Sequence, residues 1–487
     1  YSGNTYYYGT QLANGINVSS NGDGAVVLVD NSGDITASGI FGANGISAVA
    51  SGLGGVVEVY NDGSLTVSQA NKYGYGAYGV FASADGDAFI DNTGTVTVSS
   101  DGLATGLAAL SFAGDATVIN HGDLEVTNTA ALYYGATGIT AFSANGNAAV
   151  GNYGTVNVTS KYQATAVDAR AFGDVTVVNG GSLYANGDKY AFGVYASAGT
   201  GDAMVSNRAG ADIGFYSYLG RGFGILAVSS QGDVMVNNAG SIEGYAYGQS
   251  AGVFAVALQG DASVSNSGSI DVSSGGNVAV GVFARADYGT ATAVNSGSIH
   301  ATDFPGGYYT GYSAYGMFVR GDIAQAGNSG SITVDGYYAA TGIEAISVHG
   351  TVVSNTGGSI TATATGVATG IYANSLYGNV QVSNASAITA TGDYLGSAGI
   401  FANSSGGNVG ISNTAAITVS SAYAGSIGIR AGAYGDVSAT NAGAITATTN
   451  SPYSMAQGIY AYSQFGDVTV GNTSAGHIEA SGGSAAV

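Results

Sequence analysis

Asn266-Ser267-Gly268-Ser269-Ile270-Asp271-Val272 decides the fold, because versions of this stretch return along the whole chain. Its asparagine recurs about every 29 residues, with spacings from 27 to 33. The sixteen copies are Asn31, Asn61, Asn92, Asn120, Asn152, Asn179, Asn207, Asn238, Asn266, Asn295, Asn328, Asn355, Asn384, Asn413, Asn441 and Asn472. A repeat of this length predicts a solenoid of stacked units rather than a single globular core.

Each repeat contains three short runs in which apolar residues alternate with other residues. One run follows the asparagine, as in Ser269-Ile270-Asp271-Val272. A second has the form Gly-apolar-x-Ala, as in Gly252-Val253-Phe254-Ala255, and a third leads back to the asparagine, as in Val468-Thr469-Val470. Alternation at period two is typical of half-buried strands, and no run carries a helical stripe.

Three strands separated by Gly, Asn and Asp turns describe one triangular coil of a parallel β-helix. We expect an all-β fold, a right-handed parallel β-helix (β-solenoid) of about sixteen three-stranded coils. A left-handed hexapeptide helix would need a shorter coil, and crossovers between parallel strands are right-handed in general. The expected boundaries are a lead-in at 1–14, a continuous solenoid at 15–480, and a tail or the start of another coil at 481–487.

Composition and charge limit the partners. The 487 residues include 83 Gly, 2 Pro and no Cys, and 9 Lys and Arg face 30 Asp and Glu, giving a net charge of −21. This charge repels nucleic acid and anionic lipid headgroups, so neither is an expected partner. No apolar run has the length of a membrane span, so we expect no membrane insertion of this segment.

Several stretches resemble the repeats of autotransporter passenger domains. They include Gly466-Asp467-Val468-Thr469-Val470-Gly471-Asn472, Gly399-Ile400-Phe401-Ala402 and Gly458-Ile459-Tyr460-Ala461, and the resemblance covers roughly residues 12–480. It implies a surface-exposed β-helix of a Gram-negative bacterium, with an adhesive or structural role. Because the chain begins with Tyr1 rather than Met, we expect a processed or excised piece of a longer protein.

Two polar columns have a structural interpretation and a functional alternative. The asparagine column, for example Asn238, Asn266, Asn295 and Asn328, is expected to bond its own turns and the asparagines of neighbouring coils. The alternative is a polar binding track. Asp174, Asp202, Asp233 and Asp261 follow glycine in four successive coils, which is ordinary turn chemistry. Calcium bridging is the alternative, but the Gly-Gly-x-Gly-x-Asp nonapeptide is missing, so we predict no metal and no other cofactor.

An aromatic surface is the predicted binding region. The x position of Gly-apolar-x-Ala should point outward, and it holds Phe81, Tyr195, Phe254, Phe283, Phe318, Tyr372, Phe401 and Tyr460. The segment before this strand varies most in length and is rich in tyrosine; its longest copy, from His300, holds Tyr308, Tyr309, Tyr312 and Tyr315. We expect these tyrosines, with Phe254, Phe283 and Phe318, to form a contact surface. Packing among the loops and rings themselves is the alternative.

The sequence predicts a protein that is not an enzyme. The strongest catalytic set is Asp168 and Arg170 with Glu344 or Arg430, which lie many repeats apart, and the four histidines lack metal-ligand spacing. The expected function is an extracellular, non-catalytic structural or adhesive rod that associates with itself or with cell-surface glycans. One alternative is a filament of rods stacked head to tail, because neither 1–11 nor 481–487 has the character of a polar cap. Another is a polysaccharide-binding or polysaccharide-cleaving β-helix enzyme.

Overall fold

The computed structural model describes residues 12–130, 134–304 and 313–483, and the backbone of 485–486. The predicted binding residues Tyr308, Tyr309 and Tyr312 lie outside the described residues. The chain divides into two units, Tyr1–Tyr195 and Ala196–Val487, here called unit 1 and unit 2.

Unit 1 is built from short strands that repeat in groups of three. The strands are β1 (Leu12–Ser20), β2 (Val26–Asn31), β3 (Ile35–Gly39), β4 (Gly42–Ala50), β5 (Val56–Asn61), β6 (Leu65–Gln69), β7 (Gly76–Ala84), β8 (Ala88–Asn92), β9 (Val96–Ser100), β10 (Ala104–Ser111), β11 (Ala116–Asn120), β12 (Asp123–Asn128), β13 (Ala136–Ser143), β14 (Ala148–Asn152), β15 (Thr155–Ser160), β16 (Gln163–Ala171), β17 (Val175–Asn179), β18 (Ser182–Gly187) and β19 (Tyr190–Ala198), the last of which contains the boundary between the units.

Unit 2 continues the same pattern. Its strands are β20 (Ala203–Asn207), β21 (Asp212–Ser217), β22 (Arg221–Ser229), β23 (Val234–Asn238), β24 (Ser241–Ala246), β25 (Ser250–Ala257), β26 (Ala262–Asn266), β27 (Ser269–Ser274), β28 (Val278–Asn295), β29 (Ser298–Asp303), β30 (Ser313–Asn328), β31 (Ser331–Gly336), β32 (Ala339–Asn355), β33 (Ser359–Ala364), β34 (Val367–Ser375), β35 (Asn379–Asn384), β36 (Ala387–Gly392), β37 (Gly396–Ser404), β38 (Val409–Asn413), β39 (Ile417–Ser421), β40 (Ser426–Ala433), β41 (Val437–Asn441), β42 (Ala444–Thr449), β43 (Met455–Ser463), β44 (Val468–Asn472), β45 (His477–Ser481) and β46 (Ala485–Ala486).

Three strand types, here named a, b and c, make one coil. Type a carries Gly-apolar-x-Ala, type b ends on the asparagine and type c follows it, so β4, β5 and β6 are types a, b and c. Strands of one type pair in parallel with the same type in the next coil, for example β25 with β28 and β27 with β29. Within the described residues, six type-c strands in unit 1 and ten in unit 2 account for sixteen coils. The prediction of an all-β, right-handed parallel β-helix of about sixteen coils is confirmed.

Three coils of unit 2 depart from the expected three separate strands. In β28, β30 and β32 the type-a and type-b segments form one continuous strand, although the pairing with the neighbouring coil is interrupted at the bend. The pairing of β28 with β30 shifts register between Ala286 and Thr290. Such bulges let a strand bend while its hydrogen bonding resumes beyond the bend, so the corner is turned inside one strand.

In each unit the core is a column of small and branched apolar side chains. In β25, Val253 and Ala255 are fully buried, as the strand phase predicts. The glycine before them is required by close approach to the type-c strand. A Cβ on Gly252 would lie 2.3 Å from Cγ2 of Ile270 and 2.7 Å from the carbonyl oxygen of Gly281. The repeated glycine therefore fixes how closely type a packs against type c.

Candidate contact surface

The asparagine column is a buried hydrogen-bond ladder in each unit. In unit 2, Nδ2 of Asn238 donates to Oδ1 of Asn266 at 2.7 Å, and Asn266 donates to Asn295 at 2.7 Å. Asn295 donates to Asn328 at 2.8 Å, and Asn328 also donates to the turn carbonyl of Gly330 at 2.9 Å. Since these side chains are at most 2% exposed, the column offers its polar atoms to the protein itself and not to a ligand.

The aspartate column caps backbone amides of the following coil. Oδ1 of Asp202 accepts the amide of Asp233 at 2.8 Å, and Asp233 accepts the amide of Asp261 at 2.8 Å. Asp261 in turn accepts the amide of Thr290 at 2.7 Å. In unit 1, the amide of Asp174 donates to Oδ1 of Asn147, so a neutral side chain serves equally well. Among the described residues, no group of three or more His, Cys, Asp or Glu side chains is arranged to hold a metal ion.

The outward column of type-a strands forms stacks of aromatic rings. Phe254 and Phe283 are nearly parallel, with ring centroids 4.2 Å apart, and Phe283 meets Phe318 edge to face at 5.2 Å. Tyr315 of the neighbouring outward column stacks on Phe318 at 5.4 Å. All four are half-buried. The rings pack against one another, so each is only partly available to a partner.

Farther along the same column of unit 2, a cation joins the rings. Tyr372 and Phe401 stack at 5.1 Å. The guanidinium of Arg430 lies 4.8 Å from the centre of the Phe401 ring and 6.0 Å from that of Tyr460. Cation–π attraction of this kind contributes about 0.5–1 kcal/mol when partly exposed. Arg430 therefore extends the stack between two aromatic residues.

The aromatic residues that the sequence places outward in unit 1 are also in contact with neighbours. Phe81 lies edge to face with Tyr78 at 5.3 Å. Arg170 lies 4.7 Å from the centre of the Tyr195 ring, and its Nε is 2.7 Å from Oδ1 of Asp168. Burial raises the pKa of Asp168, while the Arg170 guanidinium opposes that rise. Asp168 and Arg170 thus form an ion pair with each other.

Glu344 occupies the aromatic column of unit 2 between Phe318 and Tyr372. The side chain is half-buried, and burial raises the pKa of its carboxyl to about 7. Register places Arg430 three coils farther along, on the order of 14 Å away. The structure therefore does not bring Glu344 and Arg430 into contact, and Glu344 sits among rings rather than beside a second carboxylate.

Three histidine–aspartate contacts, made by two histidines, were not anticipated from the sequence. Nδ1 of His300 is 3.1 Å from Oδ1 of Asp271, and its Nε2 is 3.5 Å from Oδ2 of Asp335. Nδ1 of His349 is 2.5 Å from Oδ1 of Asp322. His300 and Asp271 occupy the same position in consecutive type-c strands, so aligning the repeats in register would have found this pair.

Asp303, at the inner end of a type-c strand, is a second carboxyl group with a raised pKa. Burial raises the pKa of Asp303 to about 7, and the Ser274 hydroxyl lowers it in part. Its side chain is 4% exposed. Serine occupies the equivalent place in the preceding coil, as Ser274, so the repeat itself gave no signal of an acid here.

Exposed tyrosines line the corner between type-c and type-a strands, here called the c–a corner. In unit 2, Tyr394, Tyr423 and Tyr453 are 60%, 62% and 94% exposed. Tyr394 and Tyr423 stack with centroids 4.8 Å apart and planes 11° apart. Tyr315, predicted with the loop residues, lies instead on the type-a face. The tyrosine-rich segments therefore place rings on the outside of this corner.

The structure shows a second set of exposed aromatic rings that the sequence analysis did not predict. It lies at the corner between type-a and type-b strands, here called the a–b corner, and comprises Phe112, Phe172, Tyr288, Tyr377, Tyr434 and Phe465. These residues follow the type-a strand or lie in the bend after it, where segment length varies little. Length variation pointed to the other corner, and aromatic residues just past the type-a strand were the available signal.

Comparison with protein-family models, curated proteins and solved structures found no match. The described residues contain no helix that is long and apolar enough to cross a membrane. The architecture alone defines the class: the chain is a β-helix repeat protein with stacked parallel coils.

Proposed function

We propose that the chain is a non-catalytic structural or adhesive β-helix, exposed outside the cell, that associates with itself or with cell-surface glycans through the c–a corner. The observation that carries this proposal is the row of exposed tyrosines at that corner, represented by Tyr394, Tyr423 and Tyr453. The resemblance to autotransporter passengers supports an outer-surface location in a Gram-negative bacterium.

The chemistry of the corner suits weak, repeated contacts. A tyrosine brings a large amphipathic ring at low conformational cost, and its hydroxyl remains available for hydrogen bonding. Burying a few rings at about 25 cal/mol per Å² supplies several kcal/mol before the entropy cost of association. The parallel stack of Tyr394 on Tyr423 holds two of these rings in place before a partner arrives.

Charge opposes contact between copies of the chain. The net charge of −21 makes like-to-like approach unfavourable at low salt. Screening shortens the range of that repulsion to about 8 Å at physiological ionic strength. Self-association through the corner should therefore strengthen as salt is added, whereas glycan binding should depend less on salt.

The test replaces Tyr394, Tyr423 and Tyr453 together by Ser. Sedimentation across salt concentrations measures self-association, and binding to cell surfaces and to immobilised glycans measures adhesion. The matched control replaces three tyrosines of the a–b corner by Ser, namely Tyr288, Tyr377 and Tyr434, which are also exposed. We expect the c–a variant to lose association or adhesion and the control to retain both, with melting temperature unchanged in each.

Two results would contradict the proposal. Equal binding by the native chain and the c–a variant would leave the tyrosines without a role in contact. Loss in the control alone would assign contact to the a–b corner instead.

A further inference from the structure

Four type-c strands of unit 2 present two regular columns of hydroxyl groups beside a third column that is mostly alanine. Their outward positions contain no charge and no ring. This surface, here called the threonine face, comprises Ser359, Thr361, Thr363, Ala387, Thr389, Thr391, Ala416, Thr418, Ser420, Ala444, Thr446 and Thr448.

The threonine face is in register in both directions. Thr361 pairs with Thr389, and Thr389 pairs with Thr418, while Thr363 pairs with Thr391 in the adjacent column. Strand geometry sets the coil repeat at about 4.8 Å and the distance between columns at about 6.7 Å. The face is therefore a grid of methyl and hydroxyl groups on a rigid sheet, about 14 Å by 13 Å.

Strand propensity alone does not account for this regularity. Threonine is favoured on any exposed strand. The type-b strands of the same coils carry one mixed outward column, Val352, Gln381, Gly410 and Ser438, beside one hydroxyl column, Ser354, Ser383, Ser412 and Thr440. The type-c face differs in that it carries two adjacent hydroxyl columns, whereas the type-b face carries one.

Most hydroxyl groups of the threonine face are left to solvent. Ser420 donates to Oγ1 of Thr391 at 3.2 Å. Within the part of the chain that the structure describes, the hydroxyls of Thr361, Thr389, Thr418 and Thr446 make no hydrogen bond to protein. Each of these hydroxyls is therefore available to bond water.

We propose that the threonine face adsorbs to ice. A partner that fits it must be uncharged, flat and periodic in two directions, because the face has those properties inside a chain of net charge −21. On the prism faces of ice, oxygen atoms repeat in two perpendicular directions. The two repeat distances are similar to the spacing between coils and the spacing between columns of the threonine face. Water held over the grid by hydroxyls, with methyl groups between them, can then join the crystal without large rearrangement.

Ice partitioning tests the proposal with the whole chain. A crystal is grown slowly in the protein solution, and tyrosine absorbance gives the fraction of protein recovered in the ice. Thr389 and Thr418 are both replaced by Tyr, which interrupts the grid at its centre while both side chains point to solvent. Gln381→Tyr on the type-b face is the matched control. Circular dichroism and melting temperature verify the fold of each variant.

We expect the native chain and the Gln381 variant to be enriched in ice, and the double variant to be excluded from it. Exclusion of the native chain, or equal enrichment of the double variant, would overturn the proposal. A change in sedimentation of the double variant without any enrichment of the native chain would show that the face packs against a second copy, and would overturn it as well. None of these outcomes depends on the c–a corner.

Discussion

Two columns run along unit 2 with one residue per coil, and they differ in what they tolerate. The inner column is asparagine from Asn207 to Asn472. The outer column of the type-a strands holds leucine, aromatic rings, one acid and one base, from Leu226 to Tyr460. The inner position requires a short side chain that both donates to and accepts from a copy of itself. The outer position requires only a flat or apolar neighbour, so it can hold rings, Arg430 and Glu344, whose pKa is raised to about 7 by burial.

Breaking the inner column should have the largest effect. Asn266→Leu removes one ladder member, so Nδ2 of Asn238 loses its shorter hydrogen bond and Oδ1 of Asn295 loses the hydrogen bond from Asn266. At about 1–3 kcal/mol for each buried group that loses its hydrogen bond, the loss should be about 2–6 kcal/mol. Urea unfolding and hydrogen exchange of the surrounding coils measure it.

The control for that change is Asn403→Ala. Asn403 lies on the outer face and bonds Asn374 at 3.0 Å in a partly exposed setting. We expect a loss of about 1 kcal/mol or less. If the two substitutions lowered the free energy of unfolding equally, the inner ladder would contribute no more to stability than an exposed hydrogen bond.

The acid in the outer column should make stability depend on pH. Because burial raises the pKa of Glu344 from 4.5 to about 7, the folded state holds a proton that the unfolded state releases between these values. Stability from this group is thus complete below pH 4.5 and is lost as pH rises to about 7, by at most about 3 kcal/mol. Glu344→Gln should remove that decline, measured as the difference between native and variant unfolding curves across pH.

Asp303 provides the comparison, because its pKa is also raised to about 7. Asp303→Asn should remove a separate part of the same decline, so the two substitutions should add. A Glu344→Gln variant with the native pH dependence would mean that this carboxyl is ionised in the folded protein.

Removing one ring from the outer column should have a moderate effect. Phe283→Ala breaks the contacts with Phe254 and Phe318 but leaves a half-buried site that water can reach. We expect a loss of about 1–2 kcal/mol, less than for a fully buried phenylalanine. Phe283→Tyr should stay within about 0.5 kcal/mol of the native chain. A larger cost for Tyr than for Ala would contradict a column that tolerates varied residues.

The smallest effect is expected at the aspartate column. Asp233→Asn preserves an oxygen that can accept the amide of Asp261, as Asn147 does for Asp174. The melting temperature should therefore remain unchanged, and a chelator should not lower it. If a chelator lowered the melting temperature by many degrees, these aspartates would be calcium ligands and not only turn residues.

The fold and the asparagine ladder could be predicted from the sequence, because each depends on one residue type that recurs at one position of the repeat. The asparagine represented by Asn266 recurs in every repeat, and the glycine represented by Gly252 recurs in nearly every repeat, so the sequence alone indicates their structural roles. Contacts between side chains of neighbouring coils could not be predicted from a single repeat, because they depend on which residue the neighbouring coil supplies. The stack of Phe254 on Phe283 and the approach of His300 to Asp271 need the register between coils. The bends inside β28 and β30 depend on local backbone geometry that alternation does not encode.

The asparagine ladder also has a direction. Within each unit, every bond between ladder asparagines runs from Nδ2 of one coil to Oδ1 of the next, as from Asn31 to Asn61 and from Asn441 to Asn472. The side-chain amide dipoles therefore align and polarise one another. A coil that slid by two residues would keep its apolar face inside, since strands alternate with period two. It would lose its place in this chain of amides, so the ladder acts as a register check during folding that hydrophobic burial cannot provide.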